Sequence, residues 1–205
     1  MRAAPTLGAV MAVFDVSNPH LVSLQDVEPS IESGWIAQYR GTGFISRWIE
    51  YGTGGCHSHS AMLRRNGGGV DVLEIREWIG GRATPLASEV ERYPGMIDVF
   101  SVDKRFPEYR GPLAARYMRL LTGNDYGYWG VLKLGLMKLP LIRRLWPFDT
   151  DDLLRTNAAP FCSHAVCAAM RLGGNVDPVP RKRDDRVSPN DLTWSCALFY
   201  EFTLT

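Results

Sequence analysis

Short runs of β-branched and aliphatic residues flank a cluster of turn-forming residues near position 67. The runs cover residues 57–63 and 70–76, and the sequence between them contains Asn66-Gly67-Gly68-Gly69. Because this sequence tolerates the positive φ angles of a tight reversal, it predicts a β-hairpin. Strand alternation then places His57 and His59 on one face, and Glu74 on the face of the partner strand that meets them if the two strands pair in the corresponding register.

Helical periodicity is strongest in two segments. Pro112 to Leu121 has proline in its first turn and ends before a Thr-Gly pair. Cys162 to Leu172 is rich in alanine and ends at two glycines, so Cys162 is predicted to lie in the first turn of a helix. The remaining predicted elements are a strand, a glycine turn and a helix within 34–49, a strand at 98–102, a turn at 188–191 and a closing strand at 197–204.

Length and composition indicate one ordinary globular domain. The chain has 205 residues, of which 45% are hydrophobic and 22% charged, enough for a substantial core. Turn signals at 17–19 and 29–30 indicate that residues 1–30 are an N-terminal lead-in and that the domain covers 31–205.

The charge balance argues against a nucleic acid partner. Lysine and arginine total 23 against 22 acidic residues, a net charge of +1. Nucleic acid binding requires a clustered positive excess, and the one basic run, 181–183, is followed at once by two aspartates.

The four cysteines and the N-terminal residues indicate the cellular compartment in which the protein is expected. Four cysteines without regular spacing do not form the disulfide framework of a small secreted module. The N-terminal apolar run carries only Arg2 as a basic residue and is interrupted by Pro5 and Gly8, so a signal peptide is not predicted. We therefore expect a cytoplasmic protein, or one that reaches a virion or the exterior by another route.

The most hydrophobic stretch is Tyr126 to Ile142. It contains two lysines and Pro140 and is shorter than the ~20 apolar residues of a membrane-spanning helix. A helical hairpin is the favoured interpretation. The alternative is an amphipathic segment that touches a membrane surface, with basic residues up to Arg144 as its rim.

Cys162 is the candidate nucleophile. A helix N-terminus stabilises a thiolate, because free backbone N–H groups and the positive end of the helix dipole face it. His59 can accept the thiol proton, and Glu74 can orient the imidazole. A zinc site built from Cys56, His57, His59 and Cys162 is the competing interpretation, but adjacent residues point to opposite faces of a strand, so neither a metal nor another cofactor is expected.

Short motifs in four regions support this choice by resemblance. They are Gly34-Trp35-Ile36, Ser58-His59-Ser60-Ala61-Met62 with Leu73-Glu74, Phe161-Cys162-Ser163, and Ser188-Pro189-Asn190-Asp191-Leu192. In this order they resemble the circularly permuted branch of the NlpC-type papain-like hydrolases, in particular YiiX-like amidases, with lecithin retinol acyltransferase as a distant cousin. The resemblance covers roughly residues 31 to 200.

The resemblance implies an α+β papain-like fold in which an antiparallel sheet packs against the helix that carries the cysteine. It implies Cys162 as nucleophile, His59 as general base and acid, and Glu74 as orienting group. His57, Ser163 and Trp35 are candidates for lining the substrate cleft. The family usually has Gly-Asp at 34–35 and an acidic residue at 164, where this chain has Gly-Trp and a histidine.

The expected activity is therefore that of a cysteine peptidase or amidase acting on a peptide or amide bond, with cell-wall peptides such as those of peptidoglycan as the substrate that the resemblance implies. Two alternatives stay open. The apolar, basic-rimmed segment at 126–144 suggests an acyl-lipid hydrolase or acyltransferase, and the altered positions 35 and 164 suggest a structural or assembly protein, such as a virion component, that retains the fold.

Overall fold

Strands and short helices alternate in the described part of the chain, which comprises residues 15–41, 55–76, 80–122 and 162–205 of a computed structural model. The strands are β1 (Leu21–Val22), β2 (Ile36–Arg40), β3 (His59–Asn66), β4 (Gly69–Arg76), β5 (Gly80–Pro85), β6 (Met96–Val102) and β7 (Leu198–Leu204). The α-helices are α1 (Leu24–Val27), α2 (Leu86–Arg92), α3 (Gly111–Leu121), α4 (Cys162–Ala168) and α5 (Pro189–Thr193). Short 3₁₀ turns lie at Glu28–Ser30 and Asp184–Arg186. This is a mixed α+β fold, as the sequence predicts.

The described strands form one seven-stranded sheet in the order β1-β7-β6-β2-β3-β4-β5. All neighbours pair antiparallel except β1 and β7, which are parallel. The predicted hairpin is present, with Asn66 opposite Gly69 and the turn at the two glycines between them. Gly69 has φ +142°, which a residue with a side chain rarely adopts. Strand β3 begins at His59, two residues later than predicted.

Apolar side chains pack on both faces of the sheet. On one face, Met62 and Leu73 pack with α3 and α4. On the other face, Ala61 and Leu63 pack with residues of α1 and α2, including Leu86. We call these the α4 face and the α2 face. Because neighbouring strand residues point to opposite faces, each central strand contributes to both clusters.

The ladder between β3 and β4 opens before either strand ends. Its pairing runs from Asn66 opposite Gly69 to Met62 opposite Leu73. Beyond Met62, strand β3 remains paired with β2, with Tyr39 opposite His59, while β4 remains paired with β5. Among the described residues, the two strands therefore separate beside α4, which packs against both of them.

Several predictions of local structure are revised. Part of the predicted lead-in belongs to the sheet, because Val22 pairs with Leu204. The helix that begins at Cys162 changes at Ala169–Gly173 into a π-helical turn. The predicted turn at 188–191 instead begins α5, where Ser188 and Asp191 form a reciprocal capping box. The predicted helix within 42–49 and the hairpin or amphipathic segment at 126–144 lie outside the described residues.

Candidate functional site

His59 and Glu74 are hydrogen-bonded on the α2 face of the sheet. The Nε2 atom of His59 lies 2.7 Å from Oε2 of Glu74, which is fully buried. The Tyr39 ring meets the imidazole edge-on at a centroid distance of 5.2 Å. Tyr39 is itself buried, so it shields this hydrogen bond from water. Glu74 shares its face with His59 because each lies an odd number of residues from the paired residues Met62 and Leu73, which point to the other face.

Cys162 reaches His59 through the opening between β3 and β4. It is half-buried at the first position of α4, on the other face of the sheet. Its sulfur accepts hydrogen bonds from the backbone N–H groups of Ser60 and Ser163. The Ser60 N–H is available because no β4 residue pairs with that part of β3 among the described residues. The helix start and the open ladder thus bring the thiol to the imidazole.

The three groups shift one another's proton affinities. Burial opposes ionisation of the Cys162 thiol, but the charge of His59, its hydrogen bond and the two backbone donors together lower the thiol pKa. Burial likewise lowers the pKa of His59, yet the charge and hydrogen bond of Cys162, followed by those of Glu74, raise it to about 9. Each group thus favours the charged form of the other, thiolate for Cys162 and imidazolium for His59.

Glu74 stays ionised although it is buried. Burial raises its pKa, but the hydrogen bond and charge of His59 and the charges of Arg76 and Arg82 lower that pKa to about 2. Arg82 Nε lies 2.5 Å from Oε1 of Glu74, and Arg76 Nε lies 3.4 Å from Oε2. Both carboxylate oxygens are thus held by cationic donors.

His57 forms a second histidine–carboxylate pair, on the α4 face. Its Nε2 atom lies 2.6 Å from Oδ2 of Asp98, and its Nδ1 atom lies 2.8 Å from the hydroxyl of Thr193. The side chain is completely buried and its ring contacts Phe100. The expectation that His57 shares the face of His59 is wrong, because β3 begins only at His59 and strand alternation does not extend to residue 57.

Asn190 fixes the chain that leads into β3. Its side-chain amide donates to the carbonyl of His57 and its carbonyl oxygen accepts from the His57 N–H, at 2.9 and 3.0 Å. A side chain at Gly55 would collide with Asn190, since a Cβ there would lie 2.1 Å from its Oδ1. The Ser-Pro-Asn-Asp segment therefore positions the strand that carries His59.

The side chains of the three cleft candidates all have contacts within the protein. His57 is enclosed as described. Ser163 is buried, and its hydroxyl donates to the carbonyl of Val187 at 2.6 Å, which fixes α4. Trp35 packs on Phe202, and its carbonyl accepts from Leu63, four residues along β3 from His59. These contacts serve packing and anchoring, and cleft lining stays a prediction for the three residues.

Sequence patterns missed the groups that surround the two pairs. On the α2 face these are Tyr39, Arg76, Arg82 and Glu89; on the α4 face they are Arg40, Asp98, Thr193 and Thr203. Arg76 could have been found, because it shares the predicted strand face of Glu74. The others come from strands and helices whose partners cannot be read from local sequence.

Within the described residues, no group of three or more histidine, cysteine, aspartate or glutamate side chains is arranged to hold a metal ion. His57 and His59, the imidazoles of the alternative zinc site, bind carboxylates on opposite faces of the sheet. All four cysteines are free thiols. Cys56 lies 3.6 Å from Nδ1 of His57, and burial raises the pKa of Cys167 well above its usual value.

Comparison with known proteins gives a structural match. No protein-family model matches the sequence, and no curated protein has significant similarity to it. Among solved structures, the chain resembles a crystal structure described as the metalloprotein YiiX from Escherichia coli O157:H7. The fold is YiiX-like. The two share 14% sequence identity with a TM-score of 0.50, over 83% of this chain and 96% of YiiX.

The likeness to YiiX concerns the fold alone at this level of identity. YiiX is described as a metalloprotein, whereas the described residues of this chain contain no cluster of side chains that fits a metal ion. None of the described helices is long and apolar enough to cross a membrane.

Proposed function

We propose that the protein is a papain-like thiol hydrolase of the permuted NlpC type, which cleaves an amide or peptide bond with Cys162, His59 and Glu74. One observation carries the proposal. The imidazole of His59 binds the buried, ionised carboxylate of Glu74, which lies 2.7 Å from its Nε2 atom. It is also hydrogen-bonded to the thiol of Cys162, and each of these two groups shifts the pKa of the other. A nucleophile, a base and a group that orients the base are the parts that nucleophilic acyl transfer requires.

The proposed reaction uses each group in turn. Because Nε2 of His59 binds Glu74, Nδ1 is the nitrogen that exchanges protons at the thiol. The Cys162 thiolate attacks the carbonyl carbon, and the imidazolium gives its proton to the departing amine as the C–N bond breaks. Water then attacks the thioester while His59 takes one of its protons, which releases the acid and restores the thiolate–imidazolium pair.

Backbone donors support the nucleophile. The N–H groups of Ser60 and Ser163 donate to the Cys162 sulfur and so favour its thiolate form before attack. Peptides of the bacterial cell wall are the substrate class that the family resemblance suggests.

The test compares the wild-type protein with Cys162→Ala in two assays. An iodoacetamide-based probe should label the wild type at Cys162 in its folded state, and muropeptides should be cleaved at an amide bond by the wild type alone. A folded protein whose Cys162 is not labelled would overturn the hydrolase proposal in favour of a structural role. Selective release of fatty acid from phospholipid vesicles would favour the acyl-lipid alternative, whose segment at 126–144 lies outside the described residues.

A further inference from the structure

A closed square of charges surrounds the carboxylate of Glu74, with Arg82 on Oε1 and Arg76 on Oε2, the oxygen that also binds His59. Arg82 donates from Nε to Glu74 at 2.5 Å and from Nη2 to Glu89 at 2.6 Å. Arg76 closes the square, with contacts of 3.4 Å to Glu74 and 3.3 Å to Glu89. Two carboxylates and two guanidinium groups thus alternate around the square, and its net charge is zero.

The fold places Arg82 where it can bridge both carboxylates. Strand β5 pairs Arg82 directly opposite Glu74, and α2 carries Glu89 over the same face. The guanidinium uses two different nitrogens for two acceptors, which the single ammonium of lysine cannot reproduce. With Arg82 on Oε1 and His59 on Oε2, the carboxyl group of Glu74 cannot rotate without losing a charged hydrogen bond.

We propose that Arg82 is a positioning residue, which acts through Glu74 to hold the His59 imidazole against Cys162. The inference rests on the proposed function. The direct effect of the Arg82 charge on His59 works in the opposite direction, because a nearby positive charge disfavours the imidazolium form. Arg82 also lowers the pKa of Glu74, but His59 and Arg76 do so as well. The positioning role and the direct charge effect therefore predict changes of opposite sign when Arg82 is replaced.

The chain supplies its own controls for the test. Arg64 forms a comparable pair with Asp71 on the same hairpin, at 2.7 Å, and its side chain is 30% exposed against 26% for Arg82. His57 bound to Asp98 is a second imidazole–carboxylate pair that Arg82 does not contact. Each pair should give a far-downfield N–H proton resonance, since an imidazole N–H that donates to a buried carboxylate is deshielded and exchanges slowly.

Proton NMR spectra test whether Arg82 positions His59. They are compared for the variants Arg82→Gln, Arg82→Lys and Arg64→Gln. Arg82→Gln should lose or broaden the His59 resonance and keep that of His57, which shows that the protein is folded. Arg82→Lys should restore the resonance only in part, and Arg64→Gln should match the wild type. If the His59 resonance in Arg82→Gln is as sharp as in Arg64→Gln, the positioning role is overturned.

Alkylation of Cys162 by iodoacetamide at about pH 6 gives a second readout. Arg82→Gln should react on the order of tenfold more slowly, since a displaced imidazole no longer supports the thiolate. An unchanged or faster rate would indicate the electrostatic role and contradict the proposal. A wild-type thiol that is unreactive at this pH would count against the proposed function, whereas the proton spectra would still decide whether Arg82 positions His59.

Discussion

Two histidines that lie two residues apart in this sequence each bind a carboxylate, and the two pairs lie on opposite faces of one sheet. His59 binds Glu74 at 2.7 Å, and His57 binds Asp98 at 2.6 Å. Their proton affinities nevertheless shift in opposite directions. The pKa of His59 rises to about 9, whereas burial lowers the pKa of His57 despite the hydrogen bond and charge of Asp98.

The third partner accounts for this difference. Both carboxylates also bind arginine, since Arg40 holds Asp98 with bonds of 2.6 and 3.0 Å, so neither carboxylate charge acts on its histidine alone. The other nitrogen of His57 lies 2.8 Å from the neutral hydroxyl of Thr193 and 3.6 Å from the Cys56 sulfur. For His59, the charge and hydrogen bond of Cys162 raise the pKa more than those of Glu74 do. A histidine–carboxylate pair by itself therefore does not raise the pKa of its histidine; the third group decides the direction.

The largest expected effect separates the two histidines by activity. Cys162→Ala and His59→Ala should each reduce turnover by about a thousandfold or more, because nucleophile and base act as one unit. His57→Ala, corrected for the folded fraction, should stay within a few-fold of the wild type. Muropeptide cleavage measured by mass spectrometry checks this, and a His57→Ala protein that is folded but inactive would contradict the division of roles.

The next largest difference is expected between the two carboxylates, Glu74 and Asp98, in their effect on turnover. Glu74→Gln should reduce turnover by roughly tenfold to a thousandfold, because an amide oxygen still accepts from His59 but no longer stabilises the imidazolium. Asp98→Asn is the matched control and should leave kcat close to that of the wild type. Equal losses of kcat in both variants would show that the two pairs are not functionally distinct.

For stability, we expect a larger effect from replacing His57 than from replacing His59, the reverse of the order expected for activity. His57→Ala removes two buried hydrogen bonds and leaves Asp98 and Thr193 without that partner, which should lower the free energy of unfolding by about 3 kcal/mol. His59→Ala should cost less, since the His59 side chain is partly exposed and Glu74 retains Arg82. Urea denaturation monitored by tryptophan fluorescence measures both, and a larger loss for His59→Ala would reverse our assignment.

The four thiols should differ in reactivity at mildly acidic pH. At about pH 6, iodoacetamide should label Cys162 about tenfold faster than Cys56 or Cys196, because only the thiol of Cys162 faces a histidine whose pKa is raised. Cys167 should stay unlabelled, since burial raises its pKa. Peptide mapping of the native protein gives the rates, and faster labelling of Cys56 would point to the His57 pair as the activating one.

The finest difference is in the pH dependence of stability. The folded-state pKa of His59 lies above its ordinary value of 6.5, so its contribution is fully present below about pH 6.5 and is lost as the pH rises through about 9. The lowered pKa of His57 has the opposite effect on stability: its contribution is present above about pH 6.5 and is lost as the pH falls below that value. Urea midpoints should therefore decline on the alkaline side less in His59→Ala and on the acidic side less in His57→Ala.

Local sequence was sufficient where local chemistry decides the structure. The paired glycines define the hairpin, so His59 and Glu74 could be proposed as neighbours, and the proline and glycines define the helix boundaries. That Cys162 joins this pair was implied by the family resemblance. Strand alternation failed at His57 because nothing in the local pattern marks where β3 begins. Arg82 was missed because its contact with Glu74 depends on which strand pairs with β4. Strand β1 was missed because residues 21–22 pair with strand β7, about 180 positions away.

The opening between β3 and β4 also bears on how the reactive contact is maintained. The thiol belongs to a helix packed on one hydrophobic cluster, and its base belongs to a strand face packed on the other. Strand β3 contributes to both clusters, so the contact between the thiol and the imidazole depends on both of them. We expect loosening of either cluster to separate Cys162 from His59.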